Sequence, residues 1–583
     1  MSLEINYVKS KKIDLAHLQT QYTENTSKIS YNPFKIQHIQ NYNPIYSLFF
    51  EMNANNYNAI SLNHPKHFID LETIYNETLQ TKQKNIPVHI KYAPLLDPIH
   101  FLIGKYEKER PHLYNLPQLE ETNTILPKIK SAYNSAYTDC FFYYLSSKIY
   151  EKHRFLNAID FYGSYLGIQD KFRMDITDDY EYLQESPFFR NNKKKIYEIE
   201  STGFPSEFVK QSSNPPLILG DLCELEADLE INTIELEPEL ENENEIESTL
   251  ELVYEKNDID KEDIESDDDS KDSSNNSEEN ESSRDEIEEE NEDEDQSSTE
   301  WSDMQDSQEE PTIFAYINQF PIQMICLEKC EGTIDSLLED EQLEEDHLIS
   351  ALFQVIMTLA TYQKVFSFTH NDLHTNNIVY ISTDLTHIEY HYLQKVYRVP
   401  TYGRIFKIID FGRAIYRFQD QILCSDSFSI GGDAHSQYNF EPFLNKNKAR
   451  IEPNMGFDLC RLGCSLYDFV FENEDEEIIQ ENRSKWTKIQ KLVYEWCTDD
   501  NGKNILYKRS GEERYPNFKL YKMIARITHK QTPENQLNKP IFSPYCIHAV
   551  QSMRNGSVNN KKEKVVVMNI DDIPKYYSSN LKN

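Results

Sequence analysis

Apolar residues fall into two blocks of the chain, which a long polar segment separates. In the first block, the run IPVHIKYAPLLDP from Ile86 predicts a short strand that its prolines end. Residues 131–151 carry apolar side chains on a broad helical face, which predicts a helix. The next run, FYGSYLGIQDKFRMDI, is rich in aromatic and branched residues around Gly163 and Gly167 and predicts a hairpin. The first block therefore indicates a small mixed sheet with one helix.

The second block begins after Pro311 and contains both buried strands and apolar helices. PIQMICLE and IFKIID are continuous apolar runs, as expected of buried strands. Residues 348–365 predict an apolar helix, and GFDLCRLGCSLYDFVF predicts a central helix because its apolar residues occupy most faces. From Val550 the chain is rich in Asn and Lys around one strand-like run, KVVVM.

The segment between the blocks has the composition of a disordered insert. From Asp221 to Tyr254, acidic residues alternate with Leu and Ile, as in disordered segments that dock on partners. From Glu255 to Gln308 the chain is almost entirely Asp, Glu, Ser and Asn. Such a composition cannot bury enough apolar area to offset the entropy of ordering.

The net charge of −40 belongs almost wholly to this insert. The 583-residue chain has 99 acidic and 59 basic residues, and 40 acidic but only 4 basic ones lie between Asp221 and Glu310. With 38% hydrophobic and 12% aromatic residues, the chain can form a large core outside the insert. No basic stripe dominates, so direct nucleic-acid binding is not expected, and partners of the insert would be basic.

Neither secretion nor a membrane is expected. The N-terminal run MSLEINYVKSKK has no apolar core, and the longest apolar stretch, residues 351–360, is far short of the ~20 residues of a span. Nine cysteines are scattered without a C-x-x-C pair. The spacings Cys326/Cys330 and Cys460/Cys464 lack a matching His or Cys cluster, which favours buried thiols in a reducing compartment over zinc or disulfides. We expect an intracellular protein.

Two short motifs carry the chemistry. HNDLHTNN, from His370 to Asn377, follows the apolar helix, and IIDFG places Asp410 at the end of a buried strand. Phosphoryl transfer needs a carboxylate that orients and deprotonates the attacking hydroxyl, and oxygen ligands that hold magnesium on the phosphates. Asp372 suits the first role, and Asn377 and Asp410 suit the second. Either motif alone would be weak, since the first also fits an ordinary loop turn and the second an unrelated Asp-Phe-Gly at a strand end.

Together the motifs match, in order, H-x-D-x-x-x-x-N and D-F-G, and the chain resembles the protein-kinase superfamily. HNDLHTNNIVY and FKIIDFGRAIY are similar to the divergent serine/threonine kinases of giant DNA viruses. The resemblance covers about residues 85 to 190 and 312 to 475. It implies an α+β, bilobal protein-kinase-like fold, in which a small mixed β-sheet N-lobe with one main helix precedes a larger, mostly helical C-lobe. A long disordered acidic insert interrupts this fold.

Composition and the resemblance together set the boundaries expected along the chain. We expect, in order, an N-terminal extension (1–60), a kinase-like N-lobe (61–190), the acidic insert (191–311), the hinge and C-lobe (312–549) and a polar C-terminal tail (550–583). The insert would lie between the fourth and fifth strands of the N-lobe. A surface loop there tolerates length, because the entropy cost of closing a loop rises only logarithmically.

A lysine carried over from the family would bind the ATP phosphates, and a helix carboxylate would pair with that lysine. VHIK, ending at Lys91, resembles the V-A-I-K strand, whose lysine pairs with the phosphates and with an acid of the αC helix. Asp139 is the candidate acid, although the family has Glu there. An ordinary strand lysine and a solvated helix carboxylate are the alternatives.

Other positions resemble the nucleotide hinge and the support of the catalytic loop. MICLEKCEG resembles the fifth strand and hinge, which makes Leu327 the gatekeeper and turns the backbone of Glu328 to Cys330 toward adenine. Asp458 resembles the αF aspartate that hydrogen-bonds the backbone of the catalytic loop. His370 corresponds to a packing residue.

The chain departs from the family at several places. No glycine precedes Gly104, so no Gly-rich loop can cover the phosphates ahead of Lys91. Asn371 replaces the arginine that reads a phosphate on the activation loop, which argues against switching by phosphorylation there. His374 replaces a lysine, and a neutral imidazole stabilises transferring charge less than an ammonium. No A-P-E motif follows.

These observations favour an ATP- and Mg2+-dependent kinase that transfers the γ-phosphate to Ser or Thr hydroxyls of protein substrates. One alternative is a pseudokinase or scaffold that presents its acidic insert to basic partners. Another is a small-molecule phosphotransferase, which His374 and the missing A-P-E suggest. The resemblance implies an intracellular location, in the host cytoplasm or the virion if the protein is viral.

Overall fold

The computed structural model describes residues 3–10, 13–21, 24–25, 29–120, 124–202, 312–471, 478–479, 482–508, 510–547 and 563–578. These residues form a mixed α+β fold with several sheets. Of the disordered insert expected at residues 191–311, residues 203–311 lie outside the described residues.

The part before the insert contains eleven strands and six helices among its described residues. The strands are β1 (Tyr7–Lys9), β2 (Glu24–Asn25), β3 (Ser30–Tyr31), β4 (Ile36–Gln40), β5 (Ile60–Leu62), β6 (Lys66–Asp70), β7 (Thr73–Asn76), β8 (Thr81–Lys84), β9 (Val88–Pro94), β10 (Phe161–Asp175) and β11 (Tyr197–Thr202). The helices are α1 (Ala16–Gln21), α2 (Pro98–Leu102), α3 (Pro127–Lys130), α4 (Ser135–His153), α5 (Tyr180–Glu185) and α6 (Pro187–Asn192).

The part after the insert contains ten strands and six helices among its described residues. The strands are β12 (Thr312–Glu328), β13 (Gly332–Thr333), β14 (Ile378–Ser382), β15 (His387–Tyr392), β16 (Lys395–Pro400), β17 (Arg404–Ile408), β18 (Tyr416–Phe418), β19 (Gln421–Leu423), β20 (Cys546–Ile547) and β21 (Val565–Asn569). The helices are α7 (Ile334–Glu339), α8 (Glu345–Phe366), α9 (Phe457–Phe471), α10 (Lys488–Trp496), α11 (Phe518–Ile527) and α12 (Pro533–Gln536).

The largest sheet is built on the two long strands β10 and β12. They pair antiparallel, from Phe161 opposite Leu327 to Asp175 opposite Phe314. The other edge of β12 is shared, with β9 on its second half and β11 on its first. β4 pairs with β10 on the far side. Every pair in this sheet is antiparallel, so the expectation of a mixed sheet is corrected.

The hairpin predicted around Gly163 and Gly167 is wrong, because both glycines lie inside the single strand β10. Gly163 has φ +124° and stands where the register with β12 shifts, so it forms a bulge. At Gly167, a Cβ would lie 2.3 Å from a methyl carbon of Ile36 on β4. The glycines allow close strand approach here rather than a turn.

Two predicted boundaries also change. Residues 197–202, placed in the insert by their sequence, form β11, because Tyr197 is fully buried and pairs opposite Ile317 of β12. Residues 36–40, placed in the N-terminal extension, form β4 of the same sheet. In both cases the pairing partner lies far along the chain, where local composition gives no sign of it.

Helix α4 lies against the sheet and is buried on almost every side. Asn134 caps its first turn by accepting from the Ala136 N–H at 3.0 Å. Its buried residues include Asp139 and Tyr143 as well as aromatic and aliphatic side chains. The burial of Asp139 is unusual for a carboxylate and calls for a charged partner.

The predicted long helix of the second block is confirmed as α8. Among the described residues, it is the one helix that is long and apolar enough to span a membrane, but 89% of its apolar window is buried inside the protein. It therefore forms part of the core. The described cysteines are free thiols, and most of them are buried, as expected.

The region between the two motifs holds an extra sheet. β14 pairs with β17, and between them β15 and β16 form a hairpin. The strand predicted at KVVVM is confirmed as β21, which pairs parallel with β15. The region after the insert thus contains strands as well as helices, and is less purely helical than the resemblance implied.

Candidate active site

The two sequence motifs lie side by side in the structure. The Ile409 N–H donates to the Asn377 carbonyl at 3.0 Å, one residue before Asp410. The His370 ring bonds the Ile409 carbonyl through Nε2 at 2.9 Å and accepts from the Asp372 N–H through Nδ1 at 3.3 Å. The loop that carries Asp372 is therefore fastened to the strand end that carries Asp410.

Lys91 joins these motifs to helix α4. Its Nζ lies 2.7 Å from Asp139 Oδ2 and 2.9 Å from Asp410 Oδ1. The other oxygen of Asp139 accepts from the Phe411 N–H at 2.7 Å. The Lys91 and Asp139 pair expected from sequence is present, and it reaches Asp410 as well.

The pKa values of the two carboxylates shift in opposite directions. The Asp139 side chain is only 2% exposed, and burial raises its pKa to about 6 even though Lys91 opposes this shift. The Asp410 side chain is 52% exposed, and the Lys91 ammonium lowers its pKa to about 2. For Lys91 itself, burial favours the neutral amine, but Asp139 and Asp410 together hold its pKa above the ordinary value. Near neutral pH the three groups form one cation between two anions.

Asp458 and Asn371 hold the loop backbone in place. Asp458, fully buried on α9, accepts from the His370 N–H at 2.9 Å and the Asn371 N–H at 2.9 Å. The Asn371 amide donates to the Arg413 carbonyl at 3.1 Å and accepts from the Tyr438 hydroxyl at 2.8 Å. The resemblance expects an arginine at position 371. The chain has Asn371 there, and its side chain makes a neutral hydrogen bond with Tyr438.

Asn377 is oriented by its own loop. Its Nδ2 donates to the Asp372 carbonyl at 2.9 Å and lies 3.0 Å from His374 Nε2. Burial lowers the pKa of His374, so its ring is neutral near pH 7 and can accept this bond. Both amide hydrogens of Asn377 are then used, which leaves its side-chain oxygen for a ligand.

Asn377 and Asp410 fit a magnesium ion in chemical type. They offer an amide oxygen and an exposed carboxylate, the hard ligands that Mg2+ takes. Among the described residues, no three His, Cys, Asp or Glu side chains form a metal-binding group. An all-protein cage is not needed, because Mg2+ keeps several waters and is commonly held by one or two protein groups plus substrate phosphates.

The end of β12 is anchored by buried charges. Glu328 Oε2 lies 2.7 Å from Nζ of Lys407, which is fully buried on β17 two residues before Ile409. The Glu328 N–H donates to the Asp160 carbonyl at 3.0 Å, and the Asp160 carboxylate pairs with Lys66. Glu328 thus couples the end of β12 to β17, which ends two residues before Asp410.

Two of the three backbone N–H groups between Glu328 and Cys330, the segment expected to face adenine, already donate hydrogen bonds within the protein. Leu327 is buried, and the Lys329 N–H donates to the Pro87 carbonyl at 3.2 Å. The N–H groups of Glu328 and Lys329 are therefore both used inside the protein. In the part of the chain that the structure describes, the Cys330 N–H is bonded to no acceptor. Of the three expected residues, Cys330 is the one whose N–H remains for a ring nitrogen.

A cavity of about 430 Å3 lies beside Asp372 and Asp410. It is lined by Asp97, His100, Tyr106, Lys128, Ser135, Asp372, Asp410, Gly412, Arg413, Asp426, Ser427, Gly431, Gly432 and Asp433. Lys128 in this cavity pairs with Asp426 at 3.0 Å. The cavity has room for an acceptor molecule or side chain beside Asp372.

Sequence reasoning missed Tyr521, which lies on α11 and contacts Asp372. Its hydroxyl donates to Asp372 Oδ1 at 2.8 Å. Arg413 Nη1 lies 3.9 Å from the other oxygen, Oδ2. The run YPNFKLYKMIARI contains no motif that marks Tyr521, and only an amphipathic helical pattern is visible there.

Comparison with known proteins finds a relative in a giant virus. A protein of Acanthamoeba polyphaga mimivirus named "Putative serine/threonine-protein kinase" is 30% identical over 151 residues. The aligned region is 25% of this chain and 34% of that protein, so the chain matches about a third of the relative's length. No family model matches the chain. The chain therefore has a distant and partial similarity to a kinase-like viral protein.

Proposed function

We propose that the protein is an ATP- and Mg2+-dependent protein kinase, which transfers the γ-phosphate of ATP to Ser or Thr hydroxyls of protein substrates. The convergence of Lys91, Asp139 and Asp410 carries the proposal: Lys91 and Asp410 are 319 residues apart in sequence, yet their side chains meet at 2.9 Å. The loop with Asp372 and Asn377 lies directly beside them. The partial similarity to the viral protein supports the same activity.

The proposal includes a bilobal, kinase-like arrangement of the described residues. The antiparallel sheet and α4 would form the N-lobe, and α8, α9 and the following helices the C-lobe. β9, β12 and β10 lie next to one another, with Lys91 on β9 and the hinge at the end of β12. An intracellular site of action and basic partners for the acidic insert belong to the same proposal.

Each polar group in the site would have one task. Asp372 would accept the proton of the attacking hydroxyl, because its carboxylate faces the cavity. Lys91, fixed by two carboxylates, would hold phosphate oxygens with a charge-assisted hydrogen bond. Asn377 and Asp410 would hold Mg2+, which when bound neutralises phosphate charge. Leu327 and the Cys330 backbone would line the adenine pocket.

Replacing Asp410 by Ala should abolish the magnesium dependence of ATP binding. The carboxylate is half exposed and ionised, so it is the charged ligand of the proposed pair. Titration calorimetry with and without Mg2+ measures this dependence. Glu389→Ala, which removes a carboxylate of the β15 strand, serves as the control and should keep the dependence. The same magnesium-dependent affinity in Asp410→Ala would favour the scaffold alternative.

Activity should fall as the pH drops below about 6. Protonation of Asp139, whose pKa burial raises to about 6, removes one of the two anions that fix Lys91. Asp410, whose pKa Lys91 lowers to about 2, stays ionised in this range. Initial rates between about pH 5 and pH 8 should show an acid limb near 6, and Asp139→Asn should flatten it at a lower plateau. An unchanged limb in Asp139→Asn would assign it to another group.

A small-molecule phosphotransferase is the second candidate, and the cavity favours it. Its volume of about 430 Å3 lies in the range of small-ligand pockets, and the loop residues 431–433 line it. Labelled transfer to a Ser/Thr peptide library and to a set of small alcohols, run in parallel, separates the two. Transfer to alcohols but to no peptide would replace the protein-kinase proposal.

A further inference from the structure

The hydroxyl of Tyr521 lies between a carboxylate and a guanidinium. It donates to Asp372 Oδ1 at 2.8 Å and accepts from Arg461 Nε at 3.0 Å. Arg461 comes from α9, three residues after Asp458, whose carboxylate fixes the loop backbone. One helix, α9, thus reaches both the backbone of the loop and, through Tyr521, the side chain of Asp372.

The Tyr521 ring is held on several sides. The guanidinium of Arg413 lies 5.7 Å from the ring centroid, and that of Arg461 lies 5.3 Å from it. Phe518 stacks on the ring, with centroids 5.5 Å apart and planes at 17°, and Phe457 lies 6.0 Å away. The hydroxyl therefore has little freedom to leave Asp372.

His374 does not take this role, although it is two residues from Asp372. Its Nε2 lies 3.0 Å from Asn377 Nδ2, so this ring nitrogen is already engaged within the loop. Burial raises the pKa of Tyr521, so its hydroxyl keeps its proton and remains a donor near neutral pH. Tyr521 supplies a polar contact to the Asp372 carboxylate that the loop itself does not.

We propose that Tyr521 is a positioning residue for phosphoryl transfer: it holds Oδ1 of Asp372 so that Oδ2 faces the acceptor hydroxyl, and Arg461 sets the direction of its O–H. This inference rests on the proposed kinase function. Tyr521 touches neither nucleotide nor acceptor in this role, and it acts only through Asp372.

Tyr521→Phe tests the role, because it keeps the ring packing and removes only the hydroxyl. We expect kcat to fall about 10- to 100-fold, the kinetic equivalent of a hydrogen bond to a charged group, with the KM for ATP unchanged within about twofold. Tyr467→Phe is the matched control. It removes a buried hydroxyl of α9 that lies 3.2 Å from Asn504 Nδ2, and it should keep the wild-type kcat.

A double-variant cycle separates positioning from a general structural effect. In the Asp372→Asn background, Tyr521→Phe should lower the residual rate by less than about twofold, because the base that Tyr521 positions is already gone. An equal loss in both backgrounds, or a wild-type kcat in Tyr521→Phe, would overturn the inference while leaving the kinase proposal intact. No transfer by the wild-type protein to any acceptor would overturn both.

Discussion

Replacing Asp372 by Asn should slow phosphoryl transfer about 1,000-fold and leave ATP affinity nearly unchanged. The carboxylate faces the acceptor cavity, and general base catalysis is worth roughly 100- to 10,000-fold. An amide has the same shape but cannot take a proton at neutral pH. Single-turnover rates and ATP titration of the purified variant measure the two quantities separately.

The control for this variant is its stability. Asn can still accept the Tyr521 hydroxyl bond, so the thermal unfolding midpoint should match that of the wild-type protein. Wild-type turnover by a folded Asp372→Asn variant would exclude Asp372 as the base. The resemblance of its loop to the H-x-D-x-x-x-x-N motif would then not reflect catalysis by Asp372.

Lys91→Met should lower both stability and activity. Removing the ammonium leaves the Asp139 carboxylate, 2% exposed, without its charged partner, and breaking such a buried pair costs about 3 kcal/mol. Loss of the phosphate contact should slow transfer or weaken ATP binding by about 10- to 100-fold. Lys91→Arg should not restore activity, because a forked guanidinium is bulkier than the point charge that fits between Asp139 and Asp410.

A compensated double variant separates these two effects. In Lys91→Met with Asp139→Asn, the buried charge is gone, and Asn can still accept the Phe411 N–H bond. Its free energy of unfolding, from denaturant titration, should return toward the wild-type value while transfer stays low. Recovery of activity together with stability would show that Lys91 serves only the fold.

Short sequence motifs predicted the individual residues of the site better than the contacts between them. Asp410 at a strand end and Asp372 in a loop were visible because each motif is short and continuous in sequence. The Lys91 and Asp139 pairing was also expected, although the family has Glu. The shorter Asp still reaches Lys91 Nζ, at 2.7 Å, from its buried position on α4.

Features that depend on distant partners could not be predicted. The sequence predicts Gly167 in a turn, but in the structure the missing side chain makes room for Ile36, which lies 131 residues earlier in sequence. Tyr521 lies 149 residues from Asp372, and its helix presents no motif, so only the packing of α11 against α9 reveals the contact. Likewise, the pairing of β11 with β12 spans the whole insert.

Transfer of labelled γ-phosphate from ATP tests the central claim most directly. The full-length protein would be incubated with Mg2+, ATP and mixed acceptor proteins, followed by phosphoamino acid analysis, with Asp372→Asn in parallel. The account predicts phosphoserine or phosphothreonine that forms with the wild-type protein, disappears when Mg2+ is chelated and forms about 1,000-fold more slowly with the variant. Magnesium-dependent ATP binding without transfer to any acceptor, or transfer by Asp372→Asn at the wild-type rate, would contradict it.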